Sequence, residues 1–208
     1  SSDLHIQLLE NNSNKINIGY IGGEYGHTPV GYFMYSIFKN HNKKKFNIFC
    51  YNILPDKEND KFQNEIKKYT NYKSVSHLND FDIANIIRND KIDILIDQMG
   101  FINCRSKMDV LRYKPAKYII NYLAIPTSSI YPEIDYIFTD KYLFTNKNSK
   151  IFREEPVYLE YGLHLFDKSL DIFSIDYIKE KTLILQNKVV FGITCSFYKM
   201  TRHFISLV

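Results

Sequence analysis

The stretch Ile16-Asn17-Ile18-Gly19-Tyr20-Ile21-Gly22-Gly23-Glu24-Tyr25-Gly26-His27-Thr28-Pro29 opens as an alternating apolar run, breaks into a glycine-rich turn and leads into an apolar helix beginning near Pro29. Strand, glycine turn and helix in that order make the first unit of an α/β domain that handles nucleotides. Glycines let the backbone turn sharply and bring bare N–H groups up to a ligand. Proline in the first helical turn fits a helix whose positive end would face that ligand. The spacing is neither a Walker loop, since no Gly-Lys-Ser/Thr follows, nor the dinucleotide fingerprint. On these residues alone, a plain tight turn at a strand end stays open as the simpler reading.

Working outward, the pattern predicts a helix over residues 30–40, a strand over 46–51 and a loop carrying Pro55 and Asp56. A helix over 60–68 follows, with Phe62, Ile66 and Tyr69 at i, i+4 and i+7, then a second helix over 81–88 and a buried strand over 92–97. Further on come a helix near 106–112, strands near 118–122 and 134–138, and an edge segment at 157–161. Helix alternating with strand implies a doubly wound, Rossmann-like parallel sheet wrapped on both faces. Ligands of such sheets collect at the carboxyl ends of the strands, so the loops after Ile21, Ile96 and Tyr122 become the site candidates. Asp93 and Asp97 flank the strongest strand, and both are expected to cap a following turn. A fresh strand begins at residue 188, followed by a turn and a helix over 200–208.

The polar cluster Asn11-Asn12-Ser13-Asn14-Lys15 reads as a linker into the first strand. The domain boundaries expected are therefore 1–15 for a linker or the end of an upstream region, 16–165 for a Rossmann-like domain, and 166–208 for an interdomain segment with the truncated start of a second domain. Ser at position 1 implies a processed start or an excised piece.

With 208 residues, 45% hydrophobic and 24% charged, the chain is long enough and apolar enough for a substantial core. The net charge of +4 is spread, and the one dense basic run, Lys43-Lys44-Lys45, falls in a turn. Nucleic-acid binding is not expected, because no basic face with stacking aromatics emerges. Cys50, Cys104 and Cys195 form no CxxC pair, so neither a disulfide framework nor a zinc site is indicated. No apolar run approaches membrane-spanning length and no signal peptide opens the chain, which points to the cytoplasm, with the nucleus as a second compartment.

The order of segments resembles the catalytic region of the protein O-GlcNAc transferases and, more closely, the Spindly-type protein O-fucosyltransferases. The likeness runs from about residue 16 to 208. Its anchors are Ile18-Gly19-Tyr20 with Glu24-Tyr25, where the family has an aspartate-aromatic pair, and Val30-Gly31-Tyr32-Phe33, similar to the Spindly-type helix start. Asp90 to Ile96 followed by Gly100 resembles the family's third major strand and its glycine turn. Arg112-Tyr113-Lys114-Pro115-Ala116 resembles an Arg-Pro-Ala-Pro element, Pro126 sits where a Gly-Tyr-Pro loop has its proline, and Ile134 to Asp140 is similar to an Asp-Tyr-Ile-Ile-Thr-Asp strand.

The resemblance implies a GT-B fold, of which this chain holds the N-terminal, acceptor-side lobe and the start of the second lobe. It implies an inverting, metal-independent transfer of GlcNAc or fucose from UDP-GlcNAc or GDP-fucose to Ser/Thr of intracellular proteins, with no cofactor. Upstream tetratricopeptide repeats would present the acceptor. Lys199 matches the family lysine on the donor diphosphate; Gly100, Pro126, Thr127 and Ser128 fall in donor-binding turns; His27 is the catalytic candidate. There are departures. The family's histidine position before the first helix is Thr28, with His27 one place earlier, so a solvated loop histidine is an equal reading. Three loop glycines are replaced by Ala124, Thr127 and Ile130, each gaining a Cβ. A non-catalytic, transferase-like domain used for protein interaction is the alternative, and a small-molecule GT-B enzyme a third. The isolated chain, lacking a complete donor pocket, is expected to be inactive.

Overall fold

The computed structural model describes residues 4–100, 107–123, 128–144, 151–167 and 196–206, and the chain divides into two compact units, residues 1–167 and 168–208. In the first unit the elements run β1 (Ile16–Gly22), α1 (Pro29–Asn40), β2 (Phe46–Asn52), α2 (Lys61–Tyr69), β3 (Asn71–Ser74), α3 (Asp80–Asn89), β4 (Ile94–Asp97), a 3₁₀ helix (Met108–Tyr113), β5 (Tyr118–Asn121), β6 (Tyr136–Thr139) and β7 (Glu155–Tyr158). The seven strands form one sheet in the order β3-β2-β1-β4-β5-β6-β7, and every pairing is parallel.

Parallel neighbours need crossovers, and those between β1 and β5 contain α1, α2, α3 and the 3₁₀ helix. Helices α1 and α2 pack on each other, as do α3 and the 3₁₀ helix, so the sheet is covered in two sets. Ile21, Ile83, Ile87, Leu95, Val110 and Ile119 belong to the core beneath α3 and the 3₁₀ helix. Because the chain winds outward from β1 to β3 and then returns through α3 to β4, the strand order reverses between β1 and β4. Their carboxyl ends are thus the topological switch point.

Local chemistry explains the helix starts. Thr28, Asp60 and Asn79 are N-caps, their side-chain oxygens accepting Gly31 N at 3.0 Å, Phe62 and Gln63 N at 2.9 and 3.0 Å, and Asp82 N at 2.9 Å. Pro29 follows its cap at the first helical position.

Several expectations are corrected. The sequence predicted no strand between α2 and α3, yet β3 pairs with β2 at the sheet edge. Its residues Asn-Tyr-Lys-Ser carry no apolar alternation, because an edge strand buries little. The predicted helix near 106–112 is a 3₁₀ helix that ends at Lys114 in the left-handed region (φ 47°), since Pro115 bars the α region to the residue before it. Asp97 does cap its turn, but Asp93 instead ties strand starts together, accepting Asn17 N at 2.8 Å and Asn11 Nδ2 at 2.6 Å. The polar cluster before β1 is a hydrogen-bonded turn, with Asn11 Nδ2 also donating to Lys15 O at 2.8 Å. In the second unit, the helix predicted over 200–208 is α4 (Arg202–Ile205), capped by Thr201, and the strand predicted from residue 188 lies outside the described residues. Among the described residues no helix is long and apolar enough to cross a membrane.

Candidate active-site rim

Three turns leave the carboxyl ends of β1, β4 and β5, which are consecutive in the sheet, and each carries a residue in the left-handed region: Glu24 (φ 64°), Gly100 (φ 50°) and Leu123 (φ 71°). For Glu and Leu that conformation is costly and persists only where the surroundings over-determine it, a pattern that clusters at functional sites.

The β1 turn is held from several sides. Tyr25 is buried and its hydroxyl donates to Gln98 Oε1 on the neighbouring β4 turn. Thr28 Oγ1 donates to Glu24 O, while Thr28 N donates to Gly26 O at 2.8 Å. Gly31, in the first turn of α1, lies so close that a Cβ there would overlap the Gly26 carbonyl oxygen. A Cβ on Gly26 would likewise strike the Asp60 carboxylate. Partial burial pushes that carboxyl up, yet the backbone N–H groups of Gln63, His27 and Phe62 hold it below the usual carboxylate range.

The β4 turn is built on Asp97, which is buried and accepts Met99 N at 3.2 Å and Gly100 N at 3.1 Å. Burial raises its carboxyl to about 6, against the lowering effect of those two donors. Gly100 therefore stands on the rim at the switch point, its N–H committed to Asp97.

His27 is exposed, with its backbone N 3.3 Å from Asp60 Oδ2, its Nδ1 3.3 Å from the Tyr32 hydroxyl and its ring 5.3 Å from that of Phe62. All these contacts are to α1 and the start of α2, on the β2 side of β1. His27 and Gly100 share no hydrogen-bond partner among the described residues.

Ser128 stands elsewhere. Its hydroxyl donates to Glu154 Oε2 at 2.7 Å and accepts Arg153 N at 3.2 Å, while Ser129 N donates to Glu154 Oε1 at 2.6 Å. Glu154, 2% exposed, immediately precedes β7. In a parallel sheet that is the amino edge, so the expectation that Ser128 sits at the rim is corrected: the loop has already returned toward the start of β6. Pro126 and Thr127 lie outside the described residues.

A strap after β7 crosses back over the rim. Tyr122 Oη donates to Leu163 O at 2.9 Å, His164 packs on Phe33 with ring centroids 4.9 Å apart, and Lys39 Nζ meets Asp167 Oδ2 at 3.0 Å. His164 is therefore a packed surface histidine against α1.

Lys199 belongs to the second unit, where it is exposed at the end of a 3₁₀ turn (Phe197–Lys199) just ahead of α4, with its Nζ 5.9 Å from the Tyr198 ring centroid.

Sequence reasoning missed the group beside the β1 turn: Asp60, Lys57 and Gln63. One signal was available, since Asp60 followed three residues on by Gln63 is the spacing of a capping box. Gln63 Oε1 in fact accepts Lys57 N at 3.3 Å, turning that amide toward the β2 loop.

With this geometry in view, the likeness to known proteins is specific. Among curated relatives, the Arabidopsis thaliana protein described as a probable UDP-N-acetylglucosamine–peptide N-acetylglucosaminyltransferase SEC is 25% identical over 198 residues, covering 92% of this chain and 20% of its own length. The Arabidopsis SPINDLY protein, described in the same terms, is 27% identical over 135 residues, covering 64% of this chain and 15% of its own. This chain thus spans about a fifth or less of the length of these relatives. Among solved structures, a variant of the Thermobaculum terrenum O-GlcNAc transferase superposes with a TM-score of 0.70 at 22% identity, covering 78% of this chain and 31% of that one, which establishes the shared fold. The sequence profile of Glycosyl transferase family 41 matches residues 4–190, and the chain belongs to that family.

Proposed function

We propose that this chain is the acceptor-side lobe, with the threshold of the donor lobe, of an intracellular protein O-glycosyltransferase that moves GlcNAc or fucose from UDP-GlcNAc or GDP-fucose to Ser/Thr. The observation that carries the reading is the family match across residues 4–190. A parallel sheet whose carboxyl-edge turns after β1 and β5 hold non-glycine residues at positive φ supports it. In the chemistry proposed, the acceptor hydroxyl oxygen attacks the anomeric carbon from the face opposite the leaving group. The bond to the nucleotide diphosphate breaks, and the hydroxyl proton passes to a base. His27 is the candidate base; its ring, now leaning on Phe62 and Tyr32, would turn toward β4 to serve. Lys199 would meet the charge growing on the diphosphate, where a fixed cation lowers the barrier. No metal or cofactor enters this scheme. The fucose donor is slightly preferred on the Val30-Gly31-Tyr32-Phe33 likeness, and upstream helical repeats of about 34 residues would present the acceptor.

The commitment of Ser128 to Glu154, away from the rim, favours a second reading: a transferase-like domain kept for protein binding. Calorimetry with UDP-GlcNAc and GDP-fucose on the full-length parent separates the two. Saturable donor binding with turnover supports the transferase, and its absence supports the binding domain. The 208-residue chain alone is expected to transfer no sugar.

A further inference from the structure

The β1 turn and the start of α1 satisfy several of their backbone groups from within: Thr28 N donates to Gly26 O at 2.8 Å, and the Thr28 hydroxyl donates to Glu24 O and accepts Gly31 N at 3.0 Å. The His27 N–H is served from outside. Its acceptor is Asp60 Oδ2, at 3.3 Å, on the residue that caps α2 with its other oxygen. Oδ1 takes Phe62 N at 2.9 Å and Gln63 N at 3.0 Å, so one carboxylate is divided between a helix start and the turn that carries the candidate base. The turn is shaped to receive it, since a Cβ on Gly26 would overlap Oδ2. The same helix supplies the seat of the ring. Phe62, two residues past Asp60, has its ring 5.3 Å from that of His27 and 5.1 Å from that of Tyr32, whose hydroxyl is 3.3 Å from His27 Nδ1. Backbone and ring of His27 are thus both held to the first turn of α2, one by Asp60 and the other by Phe62.

Capping alone does not call for an aspartate. Asn, Ser and Thr also cap helices, each with a single side-chain oxygen, whereas the tie to His27 uses a second one. A ring that must swing from Phe62 toward β4 can do so by side-chain rotation only if its backbone stays in place. We infer that Asp60 is a positioning residue, its Oδ2 holding the His27 backbone as the fixed pivot about which the imidazole reaches the acceptor hydroxyl. The inference rests on the reading of His27 as the base for its use in catalysis, though not for the tie itself.

Asp60→Asn separates the two uses of the carboxylate, because the amide keeps one oxygen for the cap of α2 and turns an NH₂, a donor, toward the His27 N–H. In the ¹⁵N-labelled chain, exchange of the His27 backbone amide, read by saturation transfer from water, should quicken by about ten-fold, the worth of a hydrogen bond to a charged group. The Phe62 and Gln63 amides should stay protected. In the full-length parent the same variant should lower kcat by about ten- to a hundred-fold, with both KM values and the urea midpoint close to wild type, since a misplaced base is felt in the transition state. A role in capping alone would move the urea midpoint and all three amides together and leave kcat unchanged. That outcome overturns the inference, as does a His27 amide that exchanges at the wild-type rate. The two readings fail separately. If His27→Ala costs turnover and Asp60→Asn does not, the positioning role falls alone. If neither variant changes kcat although Asp60→Asn frees the amide, the base reading falls and takes the catalytic use of the tie with it.

Discussion

The turn after β1 and the loop after β5 both leave the carboxyl edge at glycine- or serine-rich sequence, but the structure uses them in opposite ways. In the β1 turn the ties run inward through Tyr25, Thr28 and the Asp60 carboxylate, leaving Glu24 and His27 facing out. In the β5 loop the polar groups themselves turn in: Ser128 gives its hydroxyl and Ser129 its backbone N–H to the buried Glu154, while the Ser129 hydroxyl oxygen accepts Tyr131 N. Polar residues after a strand therefore do not announce a site. What distinguishes the two is whether other groups satisfy the backbone, so that side chains are free for a ligand.

The largest effect expected on stability tests the close approach that shapes the β1 turn. Gly31→Ala drives a Cβ into the Gly26 carbonyl oxygen, a backbone atom that can move only if the turn opens. A loss of about 3 kcal/mol or more is expected in urea unfolding, at the upper end for overpacking. An unchanged midpoint would mean that the turn is looser than its contacts suggest.

Next comes the opposite loop. Glu154→Ala strands two donors at once, the Ser128 hydroxyl and the Ser129 N–H, inside a site 2% exposed at the carboxylate residue. About 2–3 kcal/mol should be lost in the same unfolding assay. If Ser128 is structural, Ser128→Ala in the full-length parent costs some stability and leaves the donor Kd unmoved. A donor Kd weakened ten-fold with stability intact would return Ser128 to the site and erase the contrast between the loops.

The physical reason for what was legible follows from these two variants. The alternation of β1, the apolar run of β4 and the helix-strand alternation between them are local signals, written within a few residues, and the parallel sheet follows from them. Strand β3 left no trace because an edge strand of Asn71, Tyr72, Lys73 and Ser74 need not alternate. Ser128 was misplaced because its partner, Glu154, lies 26 residues away in sequence. Asp93 was misjudged for the same reason, its partner Asn17 being 76 residues distant. Of the candidate site, Gly100 was legible as a turn glycine, whereas the Asp60 carboxylate against Gly26 and His27 required knowing that the β1 turn meets the start of α2.

A third test concerns the turn between those regions. Asp97 has its folded-state carboxyl raised to about 6 by burial, from an ordinary 3.8. Between those values the folded chain holds a proton that the unfolded chain has released. The Asp97 contribution therefore falls as pH rises from about 4 to about 6 and is level above that. Asp97→Asn has no charge to desolvate, although its amide would face the Gly100 N–H that the carboxylate now accepts. Urea unfolding should find the wild-type chain ahead of the variant at pH 4, with the gap narrowing by on the order of 2 kcal/mol by pH 7. A gap that is flat or widens over that window would show that the two backbone donors outweigh burial at Asp97.

The smallest stability effect belongs to the residue with the most at stake. His27 is exposed, and its ring contacts with Tyr32 and Phe62 are peripheral, so His27→Ala should change stability by no more than about 0.5 kcal/mol. Its effect on transfer by the full-length parent divides two uses of the β1 turn. If the imidazole swings past β1 toward Gly100 and takes the hydroxyl proton, kcat should fall by about 10²–10⁴-fold with KM little altered, because a general base acts in the transition state. If the ring stays on Phe62, kcat holds, and the turn serves only to present Glu24 and the backbone. Phe62→Leu sharpens the choice: removing the ring that His27 leans on should speed turnover in the first case, since the imidazole is released toward β4, and should affect only α2 packing in the second.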